Sequence, residues 1–252
     1  VPQIALSDTA EIVTTLAGGS EIVLVCEHAS AHIPPDLNDL GLAAVDRLSH
    51  AVWDPGALAV AQHMARMLDA TLVASGISRL VYDCNRPPHA PDAMPEQSEL
   101  IRVSGNLGLD AAARKARTDS YYTPFKTTLA AAIAGRSDPI IITVHSFTPT
   151  YHGKPRAVEI GILHDTDTRL ADAMLAIAAQ FSPMAIQRNA PYGPEDGVTH
   201  TLREHAIAGG HPNIMLELRN DLIADDSAQH AMAQMLSDWI TAALKNLERT
   251  TR

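Results

Sequence analysis

A chain of 252 residues is long enough to bury a substantial core, and 46% hydrophobic with 19% charged residues describes an ordinary globular protein. No run approaches the roughly 18 apolar residues of a membrane span, so integral insertion is not expected. A formal net charge of −10, with no block of Lys or Arg, argues against a nucleic-acid binder.

Residues 1–20 are weakly patterned and close on a Gly18-Gly19 turn. Ile22, Val23, Leu24 and Val25 then read as a buried strand that stops abruptly at Cys26-Glu27-His28. His32-Ile33-Pro34-Pro35 is a loop, because a helix does not run across the prolines. A short helix is expected over 42–49. Asp54-Pro55 opens a second, running to about Leu68, with Asp54 placed to cap its free N–H groups. Strands follow over 71–74 and, after the Ser75-Gly76 turn, over 77–83. Residues 86–108 carry Pro87, Pro88, Pro91 and Pro95 and form a long irregular segment, read as a lid or wall of a site.

Asp110 caps a helical stretch towards Ile133, with a break near Pro124 and Gly135 at its end. The most β-like run is 140–144, a natural central strand, and 147–156 is a loop. A strand over 158–163, an Ala-rich helix over 168–181 and a short strand over 184–187 come next. A turn at 189–194, a short helix over 199–208, a strand ending at Glu217 and a closing helix over 227–247 complete the chain. This alternation predicts one three-layer α/β/α domain over 1–252 with a mixed, mostly parallel sheet.

In open α/β sheets ligands bind outside the carboxyl ends of the strands. Four expected strands end in functional groups: at Cys26-Glu27-His28, at Asp83-Cys84-Asn85-Arg86, at His145-Ser146, and at Glu217-Leu218-Arg219-Asn220. As sheet neighbours their tips would converge. Each group alone also has an ordinary structural reading. His28 is a metal ligand or a loop histidine, and Asp54 a ligand or an N-cap. His145 ends a run of β-formers, where an imidazole is costly unless something uses it. Glu217, between Leu216 and Leu218, needs a compensating charge, a proton or a metal-bound water. Arg79, Arg86 or Arg219 could compensate it in a purely structural ion-pair network.

Asp83-Cys84-Asn85-Arg86 with His145 and Glu217 resembles the arrangement of zinc carboxypeptidases and related acylases. More specifically, CEHAS followed by IPP, Trp53-Asp54 with Gly56-Ala57, SRLVYDCNRPP, TVHSF and LELRNDL resemble the N-formylglutamate amidohydrolase family, in that order from about Ile22 to Leu222. The resemblance implies a zinc-carboxypeptidase-like fold and zinc, or another divalent metal. It implies hydrolysis of an N-acyl amino acid, N-formyl-L-glutamate giving formate and glutamate. Zinc carboxypeptidases take two ligands from His-x-x-Glu, but Ala31 stands three residues after His28. Asp54, in the segment matching the family, is the chosen carboxylate, giving His28, Asp54 and His145, with Glu27 as the competing ligand. Glu217 is then the general base, Arg79 stabilises the oxyanion, and Asn85 with Arg86 holds a substrate carboxylate. Arg219, His205 and Asn189 are further candidate substrate contacts.

Two readings compete. A cysteine amidohydrolase would use Cys84 or Cys26 with His145, and a family relative could bind an acidic metabolite or peptide without turnover. Two cysteines are too few for a disulfide framework and, with no export signal visible, suggest a reduced, cytoplasmic protein. The chain begins at Val1, which leaves a removed leader open, and nothing in it sets an oligomeric state.

Overall fold

The computed structural model describes residues 11–250, with side chains as far as Leu247. The first half of the weakly patterned opening stretch lies outside the described residues. In chain order the elements are β1 (Val13–Leu16), β2 (Ile22–Cys26), α1 (Ala57–Met67), β3 (Thr71–Ser75), β4 (Gln97–Ser98) and β5 (Ile101–Arg102). Next come α2 (Ala111–Arg117), α3 (Thr123–Ala134), β6 (Ile140–Phe147), β7 (Thr150–Tyr151), β8 (Lys154–Pro155) and β9 (Ile160–Leu163). The last are α4 (Arg169–Leu175), β10 (Ile186–Arg188), β11 (Asn213–Arg219) and α5 (Asp226–Thr250).

Seven strands form one sheet in the order β1-β3-β2-β6-β11-β9-β10. Four of its six pairings are parallel and two, β1 with β3 and β11 with β9, are antiparallel. This is the mixed, mostly parallel sheet that the strand–helix alternation predicts. Helices cover both faces. On one, Ile22, Leu24, Ile142, Val144, Ile214 and Leu216 pack against α1, α4 and α5, and the Trp239 indole donates to the Met174 carbonyl at 2.9 Å. On the other, Val23, Val25, Ile141 and Met215 pack against α3 and the segment around Leu80.

Alternation along the strands carries this second parity onward. From Val23 and Val25 it reaches Glu27, from Ile141 it reaches His145, and from Met215 it reaches Glu217. Because β2, β6 and β11 are parallel neighbours, with Glu217 in register with His145, these polar groups meet at one end of one face.

Several elements differ from the sequence reading, each for a physical reason. Residues 77–83 are not a strand. They turn back through Val81 N–H to the Ser78 carbonyl, and Leu80, Val81 and Tyr82 are fully buried in the second core. Their apolar run records burial rather than strand pairing. The helix expected over 42–49 shrinks to one turn at Asp46–Leu48, since Val45 and Leu48 are 75% and 83% exposed and offer no face to bury. The helical stretch after Asp110, by contrast, breaks near Pro124 as expected, at a π turn over Thr118–Tyr122. Helix α4 stops at Leu175, just past its buried Leu170, Ala171 and Met174. Residues 202–209 are π and 3-10 turns rather than a regular helix. Two hairpins, β4–β5 and β7–β8, occupy stretches expected to be irregular, and β1 emerges from the weak opening stretch as an edge strand.

Gly161 on β9 faces Glu217 across the antiparallel pairing. A Cβ there would lie 2.0 Å from the Ala190 carbonyl oxygen and 3.1 Å from the Glu217 Cβ. Gly161→Ala is therefore expected to lower stability by about 1–3 kcal/mol through overpacking. Urea unfolding is the check, and an unchanged midpoint would contradict this close approach.

Candidate active site

Four segments deliver the polar residues. The tip of β2 gives Glu27 and His28, β6 gives His145, β11 gives Glu217, and the turn before α1 gives Asp54. The buried segment after β3 adds Arg79, Asp83 and Asn85. The Asp54 N–H donates to the His28 carbonyl at 2.9 Å, which ties two of these segments together. They surround a cleft of about 380 Å³.

Asp54 does not cap α1. The helix begins after Gly56, at φ 81°, with no side-chain cap. The Asp54 carboxylate turns inward instead. Its Oδ2 lies 3.2 Å from His28 Nδ1 and 2.9 Å from His145 Nδ1, and it accepts the Ser146 N–H at 3.2 Å. The two Nδ1 atoms are 3.2 Å apart. All three residues are buried.

With both rings neutral and protonated at the far nitrogen, two bare Nδ1 lone pairs and a carboxylate oxygen would face one another with no proton among them. Around a tetrahedral ion with bonds of about 2.1 Å, ligand atoms lie about 3.4 Å apart, close to these separations. The far nitrogens point the same way. His28 Nε2 sits 2.8 Å from Asp83 Oδ1, and His145 Nε2 lies 3.1 Å from Glu27 Oε2. A carboxylate at the far nitrogen keeps the proton there and turns the lone pair of Nδ1 towards the common centre, the orientation that metal-binding histidines take. The donor set fits a divalent ion. Glu27 lies behind His145 rather than in the triangle.

Charge gives the same answer. Burial disfavours ionisation of Asp54, yet the imidazoles of His28 and His145 outweigh it and hold the carboxyl well below the usual range. Burial of Asp83 is likewise overcome by His28 and Arg79, and that of Glu27 by His145. Burial would favour neutral His145, but Glu27 and Asp54 push its pKa well above the usual value. Three buried carboxylates therefore gather positive charge around themselves. Glu217 is the exception. Burial, reinforced by the negative charge of Asp54, pushes its pKa up to about 7, and its Oε2 has no hydrogen-bond partner among the described residues.

The other residues named from the sequence divide into two groups. Arg79 lines the cleft and donates to Asp83 Oδ2 at 3.0 Å and to Asp54 Oδ1 at 3.5 Å. Asn85 and Arg86 also line it, but much of their bonding capacity is engaged. The Asn85 amide donates to the Val198 carbonyl at 2.5 Å and accepts the Thr201 N–H at 3.0 Å; Arg86 Nε donates to Asp92 at 2.5 Å. Arg219, His205 and Asn189 are not part of the lining. Arg219 pairs with Asp221 and Glu159, and Asn189 Oδ1 accepts the His164 N–H at 2.9 Å. Burial pushes the pKa of His205 down to about 4. Cys26 and Cys84 are buried, lie outside the lining, and have their thiols pushed up by burial.

Asp83, Tyr151 and Tyr192 were not singled out from the sequence. Asp83 was visible within the Asp83-Cys84-Asn85-Arg86 run, and its distance to His28 alone reveals its part. The two tyrosines lie on loops whose approach to the cleft no local pattern announces.

Fold and site together define an α/β protein with a candidate metal centre at the carboxyl ends of adjacent parallel strands. The family model for N-formylglutamate amidohydrolase matches residues 20–224, and the chain belongs to that family of amidohydrolases. A gene product of Agrobacterium tumefaciens of known crystal structure is 52% identical, with 94% of this chain and 96% of that one covered at a TM-score of 0.92. The crystal structure of an N-formylglutamate amidohydrolase from Ralstonia eutropha JMP134 shares the fold at a TM-score of 0.66 and 18% identity, covering 94% of this chain and 97% of that one. The search of curated proteins found no match. The resemblance read from the motifs is thereby borne out.

Asp83→Asn is expected to weaken divalent-metal binding about 10- to 100-fold, because it loosens the hold on the His28 ring. Competition against a chromogenic chelator measures this, and unchanged affinity would remove Asp83 from the site. In the native protein both thiols should resist iodoacetamide and react only on unfolding, as mass spectrometry of the alkylated chain would show.

Proposed function

We propose that this chain, working as a single domain, is a zinc-dependent amidohydrolase that cleaves the amide of an N-acyl amino acid, N-formyl-L-glutamate yielding formate and glutamate. The observation that supports it best is the triangle of His28 Nδ1, Asp54 Oδ2 and His145 Nδ1, set in one cleft with a glutamate of pKa about 7. Zinc held by these three atoms would supply Lewis acidity towards the amide oxygen and lower the pKa of water by several units from about 15.7.

The rest follows from the chain's own groups. Glu217, the carboxyl of the site whose pKa burial raises, is placed to take the proton of the attacking water as a carboxylate and to return it to the departing amine as an acid. The scissile C–N bond breaks as the amine takes that proton, and the acid is released as formate. Arg79, held by Asp83 and Asp54, keeps its positive charge against the cleft, where it stabilises the oxygen on which negative charge develops. The N–H groups of Arg86 and Asn85 not used within the protein take one carboxylate of the substrate. Arg219, His205 and Asn189 are left as supports of the surrounding loops. Buried thiols with raised pKa values make poor nucleophiles, which favours the metal reading over the cysteine one.

Glu217→Gln is expected to keep the metal content of the parent while kcat falls about 10²- to 10⁴-fold. Metal analysis by atomic emission and a formate-release assay provide the two readings, and retained turnover would rule out its assigned role. Dialysis against 1,10-phenanthroline should abolish hydrolysis of N-formyl-L-glutamate and added zinc should restore it. Full activity in the chelated protein would refute metal dependence.

A further inference from the structure

The cleft is a difficult place for an anion. Its lining carries six acidic side chains and two arginines, Arg79 and Arg86. Both arginines already hold carboxylates, Arg79 those of Asp83 and Asp54, and Arg86 that of Asp92. Arg219, the other cation named from the sequence, is committed to Glu159 and Asp221. N-formyl-L-glutamate is a dianion. A bound divalent ion and the remaining N–H groups of Arg86 account for the reacting amide and one carboxylate, which leaves a second carboxylate to be held.

One cation beside this cleft has no acidic partner among the described residues. Arg156 is half-buried and follows the β7–β8 hairpin. Its guanidinium carbon lies 4.4 Å from the centre of the Tyr151 ring, 4.9 Å from that of Tyr192 and 5.4 Å from that of Phe147. All three rings line the cleft. Contacts with three aromatic rings fix the guanidinium without neutralising it. Its Nη2 donates to the Tyr192 hydroxyl oxygen at 2.9 Å and its Nη1 to the Thr148 carbonyl at 3.4 Å. A guanidinium has more N–H donors than these contacts use. Because the Tyr192 oxygen accepts from Arg156, the phenol proton is free to donate elsewhere, and the ring to which it belongs forms a wall of the cleft.

We propose that Arg156, braced by Phe147, Tyr151 and Tyr192, together with the Tyr192 hydroxyl, is the subsite for the second carboxylate of a dianionic substrate. It makes the protein selective for acyl derivatives of dicarboxylic amino acids over neutral ones. The inference rests on the amidohydrolase reading above for the identity of the ligand, but not for the chemistry of the subsite. Arg156 takes no part in bond breaking; it selects.

Calorimetric titration of the zinc-loaded Glu217→Gln protein with N-formyl-L-glutamate and with its neutral isostere N-formyl-L-glutamine tests the subsite without turnover. The glutamate ligand is expected to bind more tightly. Adding Arg156→Gln should weaken the glutamate ligand about 10- to 100-fold, the effect of losing a charged hydrogen-bond pair. The glutamine ligand should stay within about threefold. Arg156→Lys should recover part of the loss, and Tyr192→Phe, which keeps the ring, should weaken only the glutamate ligand. Equal weakening of both ligands by Arg156→Gln would make Arg156 a structural brace and overturn the proposal. An unchanged glutamate affinity would overturn it too. If the parent protein binds the glutamate ligand through Arg156 yet wild type does not hydrolyse it, the amidohydrolase reading falls and the subsite stands. Hydrolysis without any Arg156-dependent preference leaves the reaction and removes the subsite, and failure to bind either ligand removes both.

Discussion

Everything at the strand ends depends on two imidazoles turning the same ring nitrogen towards one carboxylate oxygen. With both rings neutral and protonated at Nε2, His28 Nδ1, His145 Nδ1 and Asp54 Oδ2 bring their lone pairs together at 2.9–3.2 Å with no proton between them. The arrangement persists because each ring is gripped from behind, His28 by Asp83 and His145 by Glu27. Arg79 in turn neutralises part of the Asp83 and Asp54 charge. A buried concentration of negative charge is costly unless a cation stands at its focus. The fold meets that cost by gathering the acids at the carboxyl ends of its central strands, beyond a largely apolar interior.

Much of this was legible in the sequence, and the reasons it was or was not are specific. The strand ends at His28, His145 and Glu217 could be read because each interrupts a run of β-formers with a polar group, a pattern that local periodicity exposes. Asp54 could be read only through the family motif. Its local signal, an acid before proline at a helix start, pointed to a cap that the structure does not make. The segment 77–83 misled for the opposite reason, since its apolar residues serve a loop threaded through the second core. Asn85 and Arg86 stand in the cleft, but the Val198 carbonyl, the Thr201 N–H and Asp92 engage them from elements far away in sequence or on the same loop. Tertiary commitments of that kind leave no local trace, and the same holds for Arg219, whose nearby acids claim it outside the cleft.

The cleft therefore has two unlike sides. One is the rigid end of the parallel strands, where side-chain parity sets which residues face in. The other is built from loops: the residues around Tyr151, the Tyr192 turn and the proline-containing segment, with Glu99 of that segment pairing with His50 at 2.8 Å. Loops carried on a fixed sheet are where binding selectivity is adjusted without disturbing chemistry. A cation held by aromatic rings, a tyrosine hydroxyl and a carbonyl lies on this side, apart from the arginines that balance the buried acids.

The three donor atoms come from positions far apart along the chain, His28 and Asp54 separated by 26 residues and Asp54 and His145 by 91. A polypeptide emerging from the ribosome presents the first pair long before the third, and two donors on an unstructured loop hold an ion weakly. Capture of an ion by the proposed centre would accordingly not seed the fold as it does in small zinc modules. On the zinc reading it would have to wait until β6 has seated beside β2, so that loading with metal would mark completed maturation.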